Sequence, residues 1–154
     1  MTVSPEIHLS VQAGVQQLVY CYEHLTPQSL DSLKACYAPQ ARFKDPFNDV
    51  QGIERIAQVF EHMFSTVDAP RFQVTEQLLQ GQQAFLAWEF HFRMRRWRKA
   101  QPQCIRGGTF LRLDAQGKVL EHRDYWDSAE ELYEKLPVLG ALMRWLRKAG
   151  SATG

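Results

Sequence analysis

In the strand-like part of this 154-residue sequence, two pairs set a carboxylate and a histidine two positions apart: Glu89 with His91, and His122 with Asp124. On an extended strand, residues two apart share a face, so each pair would present an acid beside an imidazole. A carboxylate in apolar surroundings has its pKa raised by desolvation and can act as a base near neutrality, with the histidine relaying the proton. Trp126 continues the second face. A further carboxylate, Asp45, precedes Pro46, whose ring biases Asp45 toward extended geometry at a strand mouth. Each residue also has a plainer use. Asp124 could be a structural partner for His91 or His122, Asp45 a turn device, and a bulge in the long strand would turn Glu89 and its neighbours to solvent.

The elements that must position these groups follow from apolar spacing and punctuation. Ser4-Pro5-Glu6 supplies a cap, a first-turn proline and a first-turn carboxylate, and Ile7, Val11, Val15, Leu18 and Tyr22 predict a helix to about Leu25. Thr26-Pro27 repeats the start signal, and Leu30, Leu33 and Tyr37 predict a second helix stopped by Pro39. Residues 41–47 read as a short strand. Gly52 then introduces a helix with Ile53, Ile56, Val59, Phe60, Met63 and Phe64 on one broad apolar face. From Arg71 the texture predicts four strands, Phe72 to Leu79, Ala84 to about Arg98, Cys104 to Leu113 and Lys118 to about Trp126, separated by turn residues. Ser128 and Pro137 open a final helix in two pieces, Ala129 to Leu136 and Val138 to Lys148.

Helices followed by an antiparallel meander predict an α+β fold: a curved antiparallel sheet wraps the N-terminal helices into a cone with an apolar pocket, and a C-terminal helix covers it. Residues 1–150 read as a single domain with 151–154 as a tail. Along the long strand Trp88, Phe90, Phe92 and Met94 form one face, and Ala87, Glu89, His91 and Arg93 the other. The aromatic face reads as the outer one and as a homodimer contact, since a lone domain rarely leaves such a stripe exposed.

The formal net charge of +1 leaves no global field toward nucleic acid or anionic lipid. Arg93, Arg95, Arg96, Arg98 and Lys99 around Trp97 read as a solvated hairpin tip. Cys21, Cys36 and Cys104 are odd in number and lack paired spacing, which favours reduced thiols and a cytoplasmic location. No basic leader or run of 18 apolar residues appears, so no stable membrane insertion is expected. No metal-ligand spacing is recognisable, and no cofactor is implied.

The stretch from Phe43 to Asp127 resembles the nuclear transport factor 2 superfamily, in particular its ketosteroid isomerase, SnoaL-like polyketide cyclase and limonene epoxide hydrolase branches. The motifs that carry this are Asp45-Pro46, the helix opened by Gly52, Gly107-Gly108-Thr109-Phe110, the turn Asp114-Ala115-Gln116-Gly117 and the end strand Arg123-Asp124-Tyr125-Trp126-Asp127. Asp45 looks like the proton-shuttling aspartate of the isomerases, whose oxyanion-hole aspartate falls on Thr109. Their helix tyrosine has Tyr20 or Tyr22 nearby. Asp124 looks like the aspartate that activates water in the hydrolases and serves the cyclases as acid/base; the hydrolase's arginine and second aspartate fall on Glu89 and His91.

The resemblance implies a small-molecule enzyme that moves a proton on an apolar, oxygenated substrate, or a ligand-binding or protein-interaction member of the same fold. The implied catalytic set is Asp124, Asp45, His91, His122, Glu89 and Tyr20. Trp126, Thr109, Phe60, Ala87 and Leu111 are the implied lining of the ligand site.

Overall fold

Ser4 caps the first helix by accepting a hydrogen bond at Oγ from the Ile7 amide (3.4 Å), which, with Pro5 and Glu6 in the first turn, starts α1 (Pro5–Glu23). The computed structural model describes residues 2–95 and 101–127, with Trp145, Lys148 and Ala149. A 3₁₀ turn (Pro27–Ser29) leads into the short α2 (Leu30–Lys34), and β1 (Tyr37–Lys44), β2 (Asp49–Gln51) and α3 (Ile53–Thr66) follow. The rest is the meander β3 (Val67–Gln80), β4 (Gln83–Met94), β5 (Gln103–Leu113) and β6 (Val119–Tyr125). Most of the expected final helix, and residues 96–100 of the arginine-rich tip, lie outside the described residues.

The six strands form one sheet in the order β2-β1-β6-β5-β4-β3. Pairing is antiparallel except between β1 and β6, which run parallel. The chain is therefore α+β, with a curved, unclosed sheet laid over its helices, as expected. The second helix is shorter than its apolar spacing suggests. Tyr37 begins β1, and Pro39 sits within that strand, where the register with β6 slips between Tyr37 and Arg42. A proline tolerates that place because the ladder is interrupted there.

The core lies between the helices and one face of the sheet. Val11, Val15, Leu18 and Tyr22 of α1, Ile56 and Phe60 of α3, and Leu86, Trp88, Phe92, Leu111 and Leu113 of the sheet are all buried. The helix comes so close to the turn between β5 and β6 that Gly14 rests its Cα side against the Gly117 carbonyl.

This packing reverses the expected faces of β4. Trp88 and Phe92 are buried, Phe90 stacks on Phe72 (4.4 Å between ring centroids), and Met94 packs against the core. Glu89 and His91, with Ala87, occupy the outer face. Register agrees: Trp88 lies opposite Val74 and Gly107, whereas Glu89 lies opposite Arg106, and His91 opposite Cys104. The physical reason is a difference in cost. Burying an aromatic ring gains about 1.5–3 kcal/mol, while taking a carboxylate out of water costs several kcal/mol. The stripe expected to meet a second copy is thus spent inside the fold.

Candidate functional site

Strands β5 and β6 pair so that Thr109 lies opposite Asp124 and Leu111 opposite His122, all on the inner face. Phe43 of β1 lies beside His122 on the other side, its ring 4.6 Å from the imidazole. Glycine at position 107 lets the indole of Trp88 lie across β5, since a Cβ there would come within 2.6 Å of the ring. That leaves Trp88 Nε1 2.7 Å from Thr109 Oγ1, to which it donates.

Two chains of hydrogen bonds then meet on one oxygen. Thr109 Oγ1 donates to Asp124 Oδ1 at 2.5 Å, and His122 Nε2 lies 2.7 Å from the same atom. On its other side, His122 Nδ1 is 2.8 Å from the Tyr37 hydroxyl, which is 2.6 Å from the Tyr22 hydroxyl. The shortest contacts can all be satisfied in one direction. Tyr22 donates to Tyr37, Tyr37 to Nδ1, and Nε2–H to the carboxylate. Burial pushes both phenols well above their ordinary 10.0, so they remain protonated donors. Neither chain ends on Asp124 Oδ2, which receives no hydrogen bond among the described residues.

Tyr22, Phe60, Phe72, Val74, Leu86 and Trp88 wall an apolar cavity whose polar floor is Thr109, His122 and Asp124. Its volume is about 30 Å³, room for roughly two water molecules. His122 is 3% exposed, and the Asp124 side chain 17%. The arrangement is a partly accessible carboxylate with one oxygen held by two donors and the other uncommitted, set in a largely aromatic cup.

Of the residues singled out in the sequence, Asp124, His122, Thr109 and Phe60 line this one cavity. Leu111 is on the same face but beneath the lining, fully buried. Several expected members stand elsewhere. Tyr20 is 59% exposed and stacks on His24, because α1 turns the position two residues later inward; Tyr22 is the helix tyrosine of the cavity. Glu89 and His91 pair with each other on the outer face (3.0 Å), and Ala87 shares that face. Asp45 Oδ1 accepts from the amides of Phe47 (2.8 Å) and Asn48 (2.6 Å), so the carboxylate closes a turn. Trp126 packs edge-on against Phe47 and, with Asp45, borders an open depression on the other side of Asp124, which lines both it and the cavity.

The residues not anticipated are Tyr37, Trp88, Phe72, Val74 and Leu86. A signal for Tyr37 was present: Ala38 precedes Pro39 and is pushed toward extended backbone, which argues for a strand there. Trp88 followed from choosing the other face of β4.

Comparison with known proteins bears on this geometry. No curated protein sequence matches the chain. Among solved structures, a Mycobacterium tuberculosis protein described as a limonene epoxide hydrolase-like epoxide hydrolase is 12% identical, with a TM-score of 0.65 over 92% of this chain and 96% of its own. TsrD from Streptomyces laurentii is 21% identical, with a TM-score of 0.64 over 86% and 96%. A Catenulispora acidiphila protein of ketosteroid isomerase-like fold, in complex with trimethylamine, is 16% identical, with a TM-score of 0.66 over 85% and 92%. At these identities the likeness is one of fold. The family model for the SnoaL-like domain, however, matches residues 19–122, which span α1 from Val19, the helices and the meander as far as His122. By that match the chain belongs to the SnoaL-like domain family.

Proposed function

We propose that this protein is a small-molecule enzyme that transfers a proton on an apolar, oxygenated substrate, with Asp124 as the acid/base. The observation that carries this reading is the convergence on Oδ1. Thr109 and His122 fix one carboxylate oxygen and leave Oδ2 as the atom able to take or return a proton. The aromatic walls suit a hydrocarbon framework, and the Tyr22 hydroxyl is the donor that can turn from Tyr37 toward a ligand oxygen. His122, backed by Tyr37, holds Asp124 in orientation.

The reaction class is isomerisation, cyclisation or the addition of water, the last in keeping with the Mycobacterium tuberculosis neighbour described as an epoxide hydrolase. The groups that complete the ketosteroid isomerase and limonene hydrolase mechanisms are replaced here or point outward, so the chemistry rests on Asp124 and its donors. A substrate larger than water must displace part of the wall, and Phe72, from the exposed edge strand β3, is the side chain placed to move.

The test is to titrate a steroid enone, a terpenoid epoxide and a polyketide-like β-diketone while following tryptophan fluorescence and turnover. Wild type should bind and convert at least one class, and Asp124→Asn should bind without turnover. Absence of binding by all three, or turnover that survives Asp124→Asn, defeats the proposal.

A second reading, a ligand-binding member without chemistry, draws on a specific observation. Among the described residues, every buried side-chain nitrogen and oxygen already has a hydrogen-bond partner. Binding by wild type and Asp124→Asn alike, with no product from either, would select it.

A further inference from the structure

We infer that Glu89, His91 and Cys104 form a binding site for a thiophilic divalent cation of the Zn²⁺ class on the outer face of the sheet. Strand β4 places Glu89 and His91 two residues apart on that face, and the β4–β5 register sets Cys104 directly opposite His91. The donor atoms of all three lie within 4.8 Å of one another. His91 Nε2 is 3.0 Å from Glu89 Oε2 and 4.0 Å from Cys104 Sγ. Tetrahedral zinc, with bonds of about 2.0–2.3 Å, sets neighbouring donors roughly 3.3–3.6 Å apart. The two His91 spacings lie on either side of that range and the widest of the set is up to 4.8 Å, so rotation of the Glu89 and Cys104 side chains toward each other by about an ångström closes the site.

The direction of the imidazole distinguishes a metal site from a nucleophilic triad. In a triad, one ring nitrogen faces the nucleophile and the other the carboxylate. Here the same nitrogen faces both, as donors grouped around a shared cation do. A thiolate, an imidazole and a carboxylate also select zinc-like metals over Mg²⁺ or Ca²⁺, which prefer all-oxygen cages. Arg106 Nε lies 3.7 Å from Oε1 of Glu89, the oxygen turned from His91, and so orients the carboxylate from behind. Its positive charge is outweighed by the Glu89 carboxylate together with the Cys104 thiolate that binding creates.

Binding has a defined proton balance. Cys104 releases its thiol proton to solvent, and the Nε2 proton that His91 donates to Glu89 is given up as the neutral ring keeps its one proton on Nδ1, which frees the Nε2 lone pair for the metal. The His91 and Glu89 side chains are 34% and 32% exposed, which leaves a fourth position open to water. The ligands come from two strands, so no local motif in the sequence announces them. Asp124 lies on the opposite face, which makes this site independent of the proton-transfer reading.

The metal-free full chain is titrated with Co²⁺, and the thiolate-to-metal charge-transfer and ligand-field bands are recorded. One equivalent per chain should give both bands, and Zn²⁺ should abolish them by displacement. Cys104→Ser should lose the charge-transfer band, and His91→Ala should weaken binding by at least the ~10–100-fold that loss of an outer-shell partner costs. In unaltered protein, Zn²⁺ but not Mg²⁺ should slow alkylation of Cys104, read by peptide mass spectrometry. A missing thiolate band, an unchanged band in Cys104→Ser, or equal alkylation with the two ions overturns the assignment.

Discussion

His122 Nε2 lies 2.7 Å from Asp124 Oδ1, two residues along β6 and on the same face of the strand. The pair is held from both ends, by Thr109 on the carboxylate and by Tyr37 on the imidazole. Asp124→Asn keeps the shape and removes the base. General acid–base catalysis is worth about 10²–10⁴-fold, so kcat with a responsive substrate should fall by that range while the fluorescence-detected Kd stays within a few-fold of wild type.

Tyr37→Phe removes the hydroxyl that joins Tyr22 to His122. Tyr22 and His122 then keep only their own longer contact of 3.4 Å, and a buried hydrogen bond contributes about 0.5–1.5 kcal/mol. Urea unfolding should show a loss of at least that size. Tyr22→Phe removes only the outermost donor, and its loss should be smaller.

Thr109 accepts from Trp88 and donates to Asp124 through the same oxygen. Thr109→Val keeps the volume but strands the buried indole N–H, whereas Thr109→Ser preserves both bonds. The valine variant should lose about 1–3 kcal/mol in chemical denaturation and shift Trp88 emission. Serine should restore the emission.

At Gly14 two effects oppose each other. Replacing glycine by alanine inside a helix ordinarily stabilises by up to about 1 kcal/mol. The new methyl would overlap the backbone carbonyl of Gly117, which itself sits at φ +81° in the tight turn before β6 and has no slack. Overpacking of this kind costs typically about 1–3 kcal/mol, so Gly14→Ala should lower the melting temperature.

Alkaline solution should expose the buried thiol. Burial pushes Cys36 from its ordinary 9.0 up to about 12, with Cys21, 3.7 Å away, adding to the effect. A group whose folded pKa is raised stabilises the fold fully below its unfolded value and loses that contribution as pH rises through the folded one. Stability should therefore decline from pH 9.0 toward about 12, with Tyr22 and Tyr37, raised from 10.0, steepening the later part. In urea titrations across this window, Cys36→Ala should show a shallower early decline; an unchanged profile would contradict the assignment.

The sequence by itself determined the order of the helices and of the four meander strands among the described residues, because capping residues, turn glycines and apolar periods act locally, though the short β2 carries no such signal. It also determined that His122 and Asp124 share a face, which follows from the two-residue period of any strand, and the motifs around Thr109 and Asp124 pointed to the family. What only the tertiary structure decided was which face of β4 looks inward. Alternation separates Trp88, Phe90 and Phe92 from Glu89 and His91 but is silent on which set meets the helices; the gain from burying rings against the cost of burying a carboxylate settles it once both faces exist. The same holds for Tyr37, whose spacing from Leu30 and Leu33 fits a helix. It became a strand residue because pairing with Val119 satisfies its backbone, a partner 82 positions away that no local pattern contains. The relay from Tyr22 to Asp124 is likewise a product of packing, since it joins α1, β1 and β6 across distances in sequence that only the assembled sheet brings together.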